Sequence, residues 1–230
     1  MRLLGAGIAL FCLVGCDEPP VEQAPPETPA PGVAEQAPAD SANPSRHDQR
    51  KIVVFGDSLT AGFGIGYNEA YPAELQALVD AAGYPYEVIN AGVSGDTSAG
   101  GVRRLEWVLE DREVAAFVLA LGGNDALRGL PPSEMKKNLG TIIDGVEARG
   151  IPVLLAGLGA DETPDDRYIQ NLLAVYAQLA EERDVTFMPN LLENVAGVAA
   201  LNQSDGKHPN ARGARIVAEN VWKYLKPMLQ

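Results

Sequence analysis

The chain has 230 residues, with 18 Lys and Arg against 31 Asp and Glu, and so carries a net charge of −13 at pH 7. Such a chain lacks the clustered basic side chains that nucleic acid requires, and we expect no nucleic-acid partner. Its two cysteines, Cys12 and Cys16, both lie in the first 16 residues. Disulfides, cysteine–zinc sites and a thiol nucleophile are therefore excluded from the rest of the chain.

Residues 1–16 have the layout of an export signal. Arg2 is followed by an apolar run over residues 3–14, which is too short to span a bilayer. The run ends in Leu-Val-Gly-Cys at 13–16, which resembles the box of bacterial lipoproteins, where cleavage precedes a cysteine whose sulfur takes a lipid. We therefore expect Cys16 to be a lipidation site that anchors an exported protein in the periplasm or cell envelope. An ordinary signal peptide that contains Cys16 is the alternative.

Residues 17–50 have a different composition from the rest of the chain. They hold eight of the 17 prolines, mixed with Ala, Glu and Gln and with few large apolar side chains. A segment of this kind buries too little apolar surface to offset the entropy of ordering, so we expect a disordered tether. Residues 51–230 remain as one domain, long enough to build its own core.

From residue 51 onwards, strand and helix patterns alternate. In chain order they are strand 51–55, helix 71–82, strand 87–90, helix 97–110, strand 115–121, helix 132–149, strand 153–157, helix 165–183, strand 185–188 and helix 210–229. This alternation predicts an α/β domain with one parallel sheet and helices on both faces. The strand at 115–121 is apolar without alternation, as expected where both faces are covered.

Small and polar residues follow each of the first three strands, at 56–58, 90–97 and 122–125. Because the carboxyl ends of parallel strands share one edge of the sheet, these segments should converge at the edge where ligands bind in such folds. A fourth polar segment, 204–210, directly precedes the last helix and is expected at the same edge.

The converging residues are those of nucleophilic catalysis. A serine hydroxyl such as that of Ser58 needs a neighbouring base, and His208 is the only histidine of the domain. Asp205, three residues earlier, is placed to orient the imidazole ring. The backbone N–H groups of Ser58 and Gly95 and the side-chain amide of Asn124 are candidate donors to an oxyanion. One histidine and scattered carboxylates form no metal-ligand set, and we expect no cofactor.

Four motifs in this order resemble those of the SGNH (GDSL) hydrolases: Gly-Asp-Ser-Leu at 56–59, Ser-Gly-Asp-Thr at 94–97, Gly-Gly-Asn-Asp at 122–125 and Asp-Gly-Lys-His-Pro-Asn at 205–210. The family includes bacterial lysophospholipases, thioesterases and arylesterases. The resemblance implies a flavodoxin-like three-layer fold with strand order 2-1-3-4-5 and the catalytic roles given above. It also implies that Leu127 and Leu130, in the stretch 125–131, form walls of the acyl site.

One segment departs from the family pattern. Relatives usually carry a Leu-Pro-x-Asn-Tyr-Gly-like loop after the fourth strand, whereas residues 157–166 of this chain are four small or apolar positions followed by an acidic stretch, Asp161–Asp166. A solvated charged loop is one interpretation. Altered acyl selectivity is the other.

The expected function is that of a monomeric serine esterase. Its substrates would be short- to medium-chain acyl or aryl esters, or thioesters or lysophospholipids, and it would act through an acyl-Ser58 intermediate. A carbohydrate or cell-envelope O-acetyl esterase is an alternative from the same family, and a catalytically idle, lipid-tethered binding module is a second. The α/β-hydrolase elbow is not supported, because Thr60 stands where Gly-x-Ser-x-Gly requires glycine.

Overall fold

A computed structural model describes residues 49–110, 113–159 and 166–229. Its sheet has five parallel strands in the order β2-β1-β3-β4-β5. Their bounds are β1 Arg50–Gly56, β2 Tyr86–Gly92, β3 Val114–Ala120, β4 Val153–Ala156 and β5 Thr186–Met188. The predicted parallel sheet and its strand order are thus confirmed. The signal, the lipidation site and nearly all of the tether lie outside the described residues and stay predictions.

The described residues contain seven α-helices, and five of them cover the sheet. The helices are α1 Ser58–Ala61, α2 Tyr71–Ala81, α3 Ser98–Leu109, α4 Gly123–Leu127, α5 Pro132–Glu147, α6 Arg167–Arg183 and α7 Ala211–Leu225. Single 3-10 turns lie at Tyr67–Glu69, Ala199–Leu201 and Lys226–Met228. Apolar residues of α2 and α7 pack on one face of the sheet, and those of α3, α5 and α6 pack on the other. This confirms the three-layer arrangement.

The core consists of two apolar layers that share the sheet. Successive side chains of a strand point to opposite faces, so Val54 packs towards α2 and α7 while Val53 and Phe55 pack towards α3 and α5. All seven residues of β3 are buried, because this strand lies at the centre of the sheet with helices above and below. Burial on both faces explains its continuous apolar run.

Two short helices, α1 and α4, were not predicted from the sequence. Each follows a polar motif and spans only four or five residues, too few to show helical periodicity. The last helix is also shorter than predicted, since α7 ends at Leu225 and a 3-10 turn containing Pro227 follows. Proline lacks the N–H that would continue an α-helical hydrogen-bond ladder.

Helix α1 lies directly against the carboxyl ends of β1 and β2, and two glycines permit this close approach. A Cβ atom at Gly56 would lie 2.0 Å from Oγ1 of Thr60, and one at Gly92 would lie 2.2 Å from the backbone nitrogen of Ala61. Any larger residue at either position would push α1 away from the sheet. The two glycines therefore hold Ser58, the first residue of α1, at the sheet edge.

Candidate active site

Ser58, His208 and Asp205 form a continuous hydrogen-bonded relay. Ser58 Oγ lies 2.8 Å from His208 Nε2, and His208 Nδ1 lies 2.6 Å from Asp205 Oδ2. An ionised carboxylate only accepts hydrogen bonds, so Nδ1 carries a proton and donates it towards Asp205. In the neutral ring Nε2 is then an acceptor, and the serine hydroxyl donates to it. This is the orientation that a general base requires.

Asp205 is held in its ionised form by its own turn. The hydrogen bond from the His208 ring is the main reason that the pKa of Asp205 lies well below its usual range, and the backbone N–H groups of His208 and Lys207 add to the effect. These two N–H groups donate to Oδ1 over 3.0 and 2.9 Å. One carboxylate therefore both closes the turn and orients the imidazole.

The predicted oxyanion donors differ in their present hydrogen bonding. No acceptor among the described residues contacts the backbone N–H of Ser58 or Gly95. By contrast, Asn124 Nδ2 donates to the carbonyl oxygen of Asp96 over 2.9 Å and to Asp57 Oδ2 over 3.3 Å. These bonds tie the segments that carry Ser58, Gly95 and Asn124 to one another. The sheet edge thus brings these three segments together, while the role of the three groups as oxyanion donors stays a prediction.

Asp57, for which the sequence predicted no role, is a buried carboxylate, 3 % exposed. Its Oδ1 accepts the Leu59 N–H over 3.0 Å and caps α1. Burial raises its pKa to about 6, against the lowering effects of the Leu59 hydrogen bond and of nearby His208. Asp57 therefore supports both the helix that carries Ser58 and the amide of Asn124.

A second structural residue at the site is Arg104 of α3. Its guanidinium donates to the carbonyl oxygens of Ala91 (2.8 Å) and Gly56 (2.9 Å) and to Asp96 Oδ2 (2.7 Å). It also lies 3.7 Å from the ring centre of Phe55. Burial is the main cause of its lowered pKa. Arg104 ties the ends of β1 and β2 to the segment before α3, yet nothing in the sequence separates it from its neighbour Arg103.

The predicted pocket residues lie at the end of α4 and in the segment that follows it. Leu127 is 67 % exposed and Leu130 is half-buried. Arg128 Nη2 donates to the Gly95 carbonyl over 2.7 Å, and the Tyr168 hydroxyl donates to the Leu130 carbonyl over 2.8 Å. The segment is thus attached to the rest of the site. Neither leucine lines the cleft that adjoins Ser58, and their role as acyl-site walls stays a prediction.

Most of the acidic stretch that departs from the family pattern, residues 161–165, lies outside the described residues. Its last member, Asp166, is described and caps α6, since its side chain accepts the N–H groups of Tyr168 and Ile169. At least one acid of this segment therefore has a structural role. The acyl selectivity predicted from the segment stays a prediction.

The described ranges contain no group of three or more His, Cys, Asp or Glu residues arranged to hold a metal ion. Nor do they contain a helix long and apolar enough to cross a membrane.

The fold and the site together define an α/β enzyme of the carboxylic ester hydrolase class, with its polar motifs on the carboxyl edge of a parallel sheet. A family model described as GDSL-like lipase/acylhydrolase matches residues 54–216, and the chain belongs to this family.

Named relatives are similar over most of the chain. Esterase TesA of Pseudomonas aeruginosa is 39 % identical over 77 % of this chain and 89 % of its own length. The thioesterase 1/protease 1/lysophospholipase L1 of Escherichia coli K12 is 34 % identical over 77 % of this chain and 84 % of its own. An arylesterase of Vibrio mimicus is 32 % identical over 76 % of this chain and 90 % of its own length. A crystal structure of TesA, 39 % identical, superposes with a TM-score of 0.75 and covers 78 % of this chain and all of that one.

Proposed function

We propose that the protein hydrolyses esters through a covalent acyl-Ser58 intermediate. The observation that carries this proposal is the relay from Ser58 Oγ to His208 Nε2 at 2.8 Å and from His208 Nδ1 to Asp205 Oδ2 at 2.6 Å. A serine hydroxyl is a weak nucleophile unless a base takes its proton, and this relay supplies the base and the group that orients it.

In the first half-reaction, Ser58 Oγ attacks the ester carbonyl carbon while its proton passes to His208 Nε2. The carbonyl oxygen becomes an oxyanion, for which the N–H groups of Ser58 and Gly95, which have no acceptor within the described ranges, are available. His208 then gives the proton to the leaving oxygen, the carbon–oxygen bond breaks, and the alcohol departs.

In the second half-reaction, His208 removes a proton from water, and the resulting hydroxyl attacks the acyl-Ser58 carbonyl. The intermediate collapses to the carboxylic acid, and the proton returns from His208 to Ser58 Oγ. In sum, one ester and one water are converted into one carboxylic acid and one alcohol.

Asn124 would join the oxyanion hole by exchanging one of its present partners. Its bond to Asp57 Oδ2, at 3.3 Å, is longer than its bond to the Asp96 carbonyl, at 2.9 Å. A hydrogen bond at the longer distance is the weaker of the two. The developing negative charge would therefore compete with Asp57 for this N–H, while the Asp96 carbonyl keeps the amide plane in place.

The substrate class that we propose is short- to medium-chain acyl or aryl esters, with thioesters and lysophospholipids as further members. The printed names of the relatives include an esterase, an arylesterase and a thioesterase/lysophospholipase. The surface next to Ser58 is mainly apolar, which suits uncharged esters better than acetylated sugars.

The test is labelling and turnover with the variant Ser58→Ala. A fluorophosphonate should label the wild-type chain at Ser58 alone, and p-nitrophenyl butyrate should be hydrolysed with an initial burst. Ser58→Ala should lose the label and fall to the uncatalysed rate, while Ser133→Ala, which removes an exposed hydroxyl from the start of α5, should retain both. Turnover by Ser58→Ala at more than a few per cent of wild type would contradict the acyl-Ser58 mechanism.

A further inference from the structure

A shallow apolar cleft, open to solvent, begins at Ser58. Its walls are mostly aliphatic or aromatic side chains that come from the segment after α1, the segment after β5, and α7. They include Leu59, Phe63, Ile65, Leu192, Pro209 and Val217. Neither Gly95 nor Asn124 lines this cleft, so it extends from Ser58 on a different side from the oxyanion donors.

The cleft lies on the side of Ser58 where the imidazole sits. Pro209 directly follows His208 in the chain, and the Phe63 ring centre is 4.8 Å from that of His208, with the planes tilted by 41°. The two residues that flank the imidazole are therefore also walls of the cleft. An occupant of the cleft would lie against the group that handles the proton.

The proposed reaction determines where the acyl half and the alcohol half of the ester lie relative to Ser58. The carbonyl oxygen must face the donors at Gly95 and Asn124, and the leaving oxygen must lie near His208 Nε2, because it receives its proton there. The substituent on the leaving oxygen then continues past His208. The cleft between Phe63 and Pro209 is the space on that side.

The two walls of the cleft are fixed to each other by one side chain. Gln203 Nε2 donates to the carbonyl oxygen of Phe63 over 2.7 Å and to that of Pro209 over 3.0 Å. Both N–H bonds of the amide are thus used to bridge the two walls. Gly64 leaves room for this bridge, since a Cβ atom there would lie 2.2 Å from Gln203 Oε1. The cleft is therefore a built feature of the site.

We infer that this cleft binds the alcohol half of the substrate and selects an apolar, preferably aromatic, leaving group. No charged side chain is among the described residues that line it. The hydroxyl of Tyr71, also in the lining, is already paired with Thr60 Oγ1 over 2.8 Å. A charged alcohol would lose hydration there without gaining a partner. Phe63, 47 % exposed, offers a ring face for an aromatic group. This inference rests on the proposed function.

The experiment varies the alcohol and the acyl group of the ester independently. Benzyl butyrate and methyl butyrate share an acyl group, and methyl octanoate and methyl butyrate share an alcohol. For Phe63→Ala we expect kcat/KM for benzyl butyrate to fall about tenfold while that for methyl butyrate changes by less than about twofold. Ile65→Trp, which fills the cleft instead of emptying it, should give the same pattern. Val198→Ala, which truncates an exposed apolar side chain outside the cleft, is the matched control.

Two results would overturn the inference. In the first, the variants change the ratio of kcat/KM for methyl octanoate to that for methyl butyrate, but leave the ratio for benzyl butyrate to methyl butyrate unaltered. The cleft then holds the acyl chain. In the second, kcat/KM falls by the same factor for all three esters. Phe63 then acts only on the placement of His208. Fluorophosphonate labelling of Ser58 in each folded variant separates these results from failure of the proposed function, which would appear as an unlabelled wild-type protein. Phe63→Leu, which keeps an apolar side chain of similar reach, replaces Phe63→Ala if the latter does not fold.

Discussion

The buried carboxylate of Asp57 should make the protein less stable as the pH rises from acidic to neutral. Its pKa, 3.8 in an unburied aspartate, is raised to about 6 in the folded chain. Between these two values the folded state binds a proton that the unfolded state has already lost. The free energy of unfolding therefore falls as the pH rises through this window, and the cost is complete above about pH 6.

The size of this effect follows from the shift. A difference of roughly two units between the folded and unfolded pKa of Asp57 corresponds to about 3 kcal/mol in the free energy of unfolding. Solvent screening is small because the side chain is buried. The groups that face Asp57 act in both directions: the Leu59 N–H and His208 favour the ionised form, whereas Asp96 opposes it. The rise in pKa caused by burial exceeds the combined effect of these groups, so the pKa of Asp57 is raised overall.

The variant Asp57→Asn isolates this contribution. Asparagine has nearly the same shape, does not ionise, and still offers an oxygen to the Leu59 N–H. Urea unfolding at several pH values should show that the stability of Asp57→Asn relative to wild type increases by about 2 kcal/mol between about pH 4 and pH 6.5. Glu181→Gln, which removes an exposed carboxylate, is the control for the loss of one surface charge. Parallel stability curves for Asp57→Asn and wild type would refute the reasoning.

The same variant should lose activity while it gains stability at neutral pH. The new amide would place an N–H donor opposite the N–H of Asn124, where the wild-type structure has an acceptor at 3.3 Å. We expect a lower kcat and an almost unchanged KM, because the new N–H would repel the N–H of Asn124 that faces the oxyanion, while the apolar surface is untouched.

Three further predictions concern other residues. Asn124→Ala should lower kcat by about 10²–10³ with little change in KM, as measured with p-nitrophenyl butyrate, because one oxyanion donor is removed. Arg104→Met should destabilise the fold by about 3 kcal/mol in urea unfolding, because Asp96 loses its partner in a largely buried pair. Cys16→Ser should move the protein from the membrane fraction to the soluble fraction, because the thiol that would carry the lipid is absent.

Matched controls make each outcome decisive. Arg103→Met removes the neighbouring guanidinium, which bonds to the Ala99 carbonyl of its own helix, and should have little effect on stability. If it destabilises as much as Arg104→Met, the contacts of Arg104 are not the cause. Cys12→Ser should leave membrane association unchanged, and unchanged fractionation of Cys16→Ser would exclude the lipid anchor. A normal kcat for Asn124→Ala would remove Asn124 from the oxyanion hole.

The amino-acid sequence alone determined the class of the fold and most of its elements. Alternating strand and helix patterns, together with the unbroken apolar run at 115–121, predicted a parallel sheet covered on both faces, because burial on two faces leaves no polar alternation. The sequence also indicated which residues would carry the chemistry that we propose. The domain has one histidine, and the polar motifs at 56–58, 90–97 and 122–125 must meet because parallel strands end at the same edge.

The tertiary structure alone decided how the site is supported. Asp57, Arg104 and Gln203 each contact segments distant in sequence, and no local pattern shows which of several similar residues will do so. The short helix α1 likewise depends on its Asp57 cap and on close packing against the sheet. The apolar cleft beside His208 has the same origin, because its walls come from three separate parts of the chain. Side-chain contacts over such separations are set by the packing of the whole domain, whereas sequence periodicity reports only on neighbours within an element.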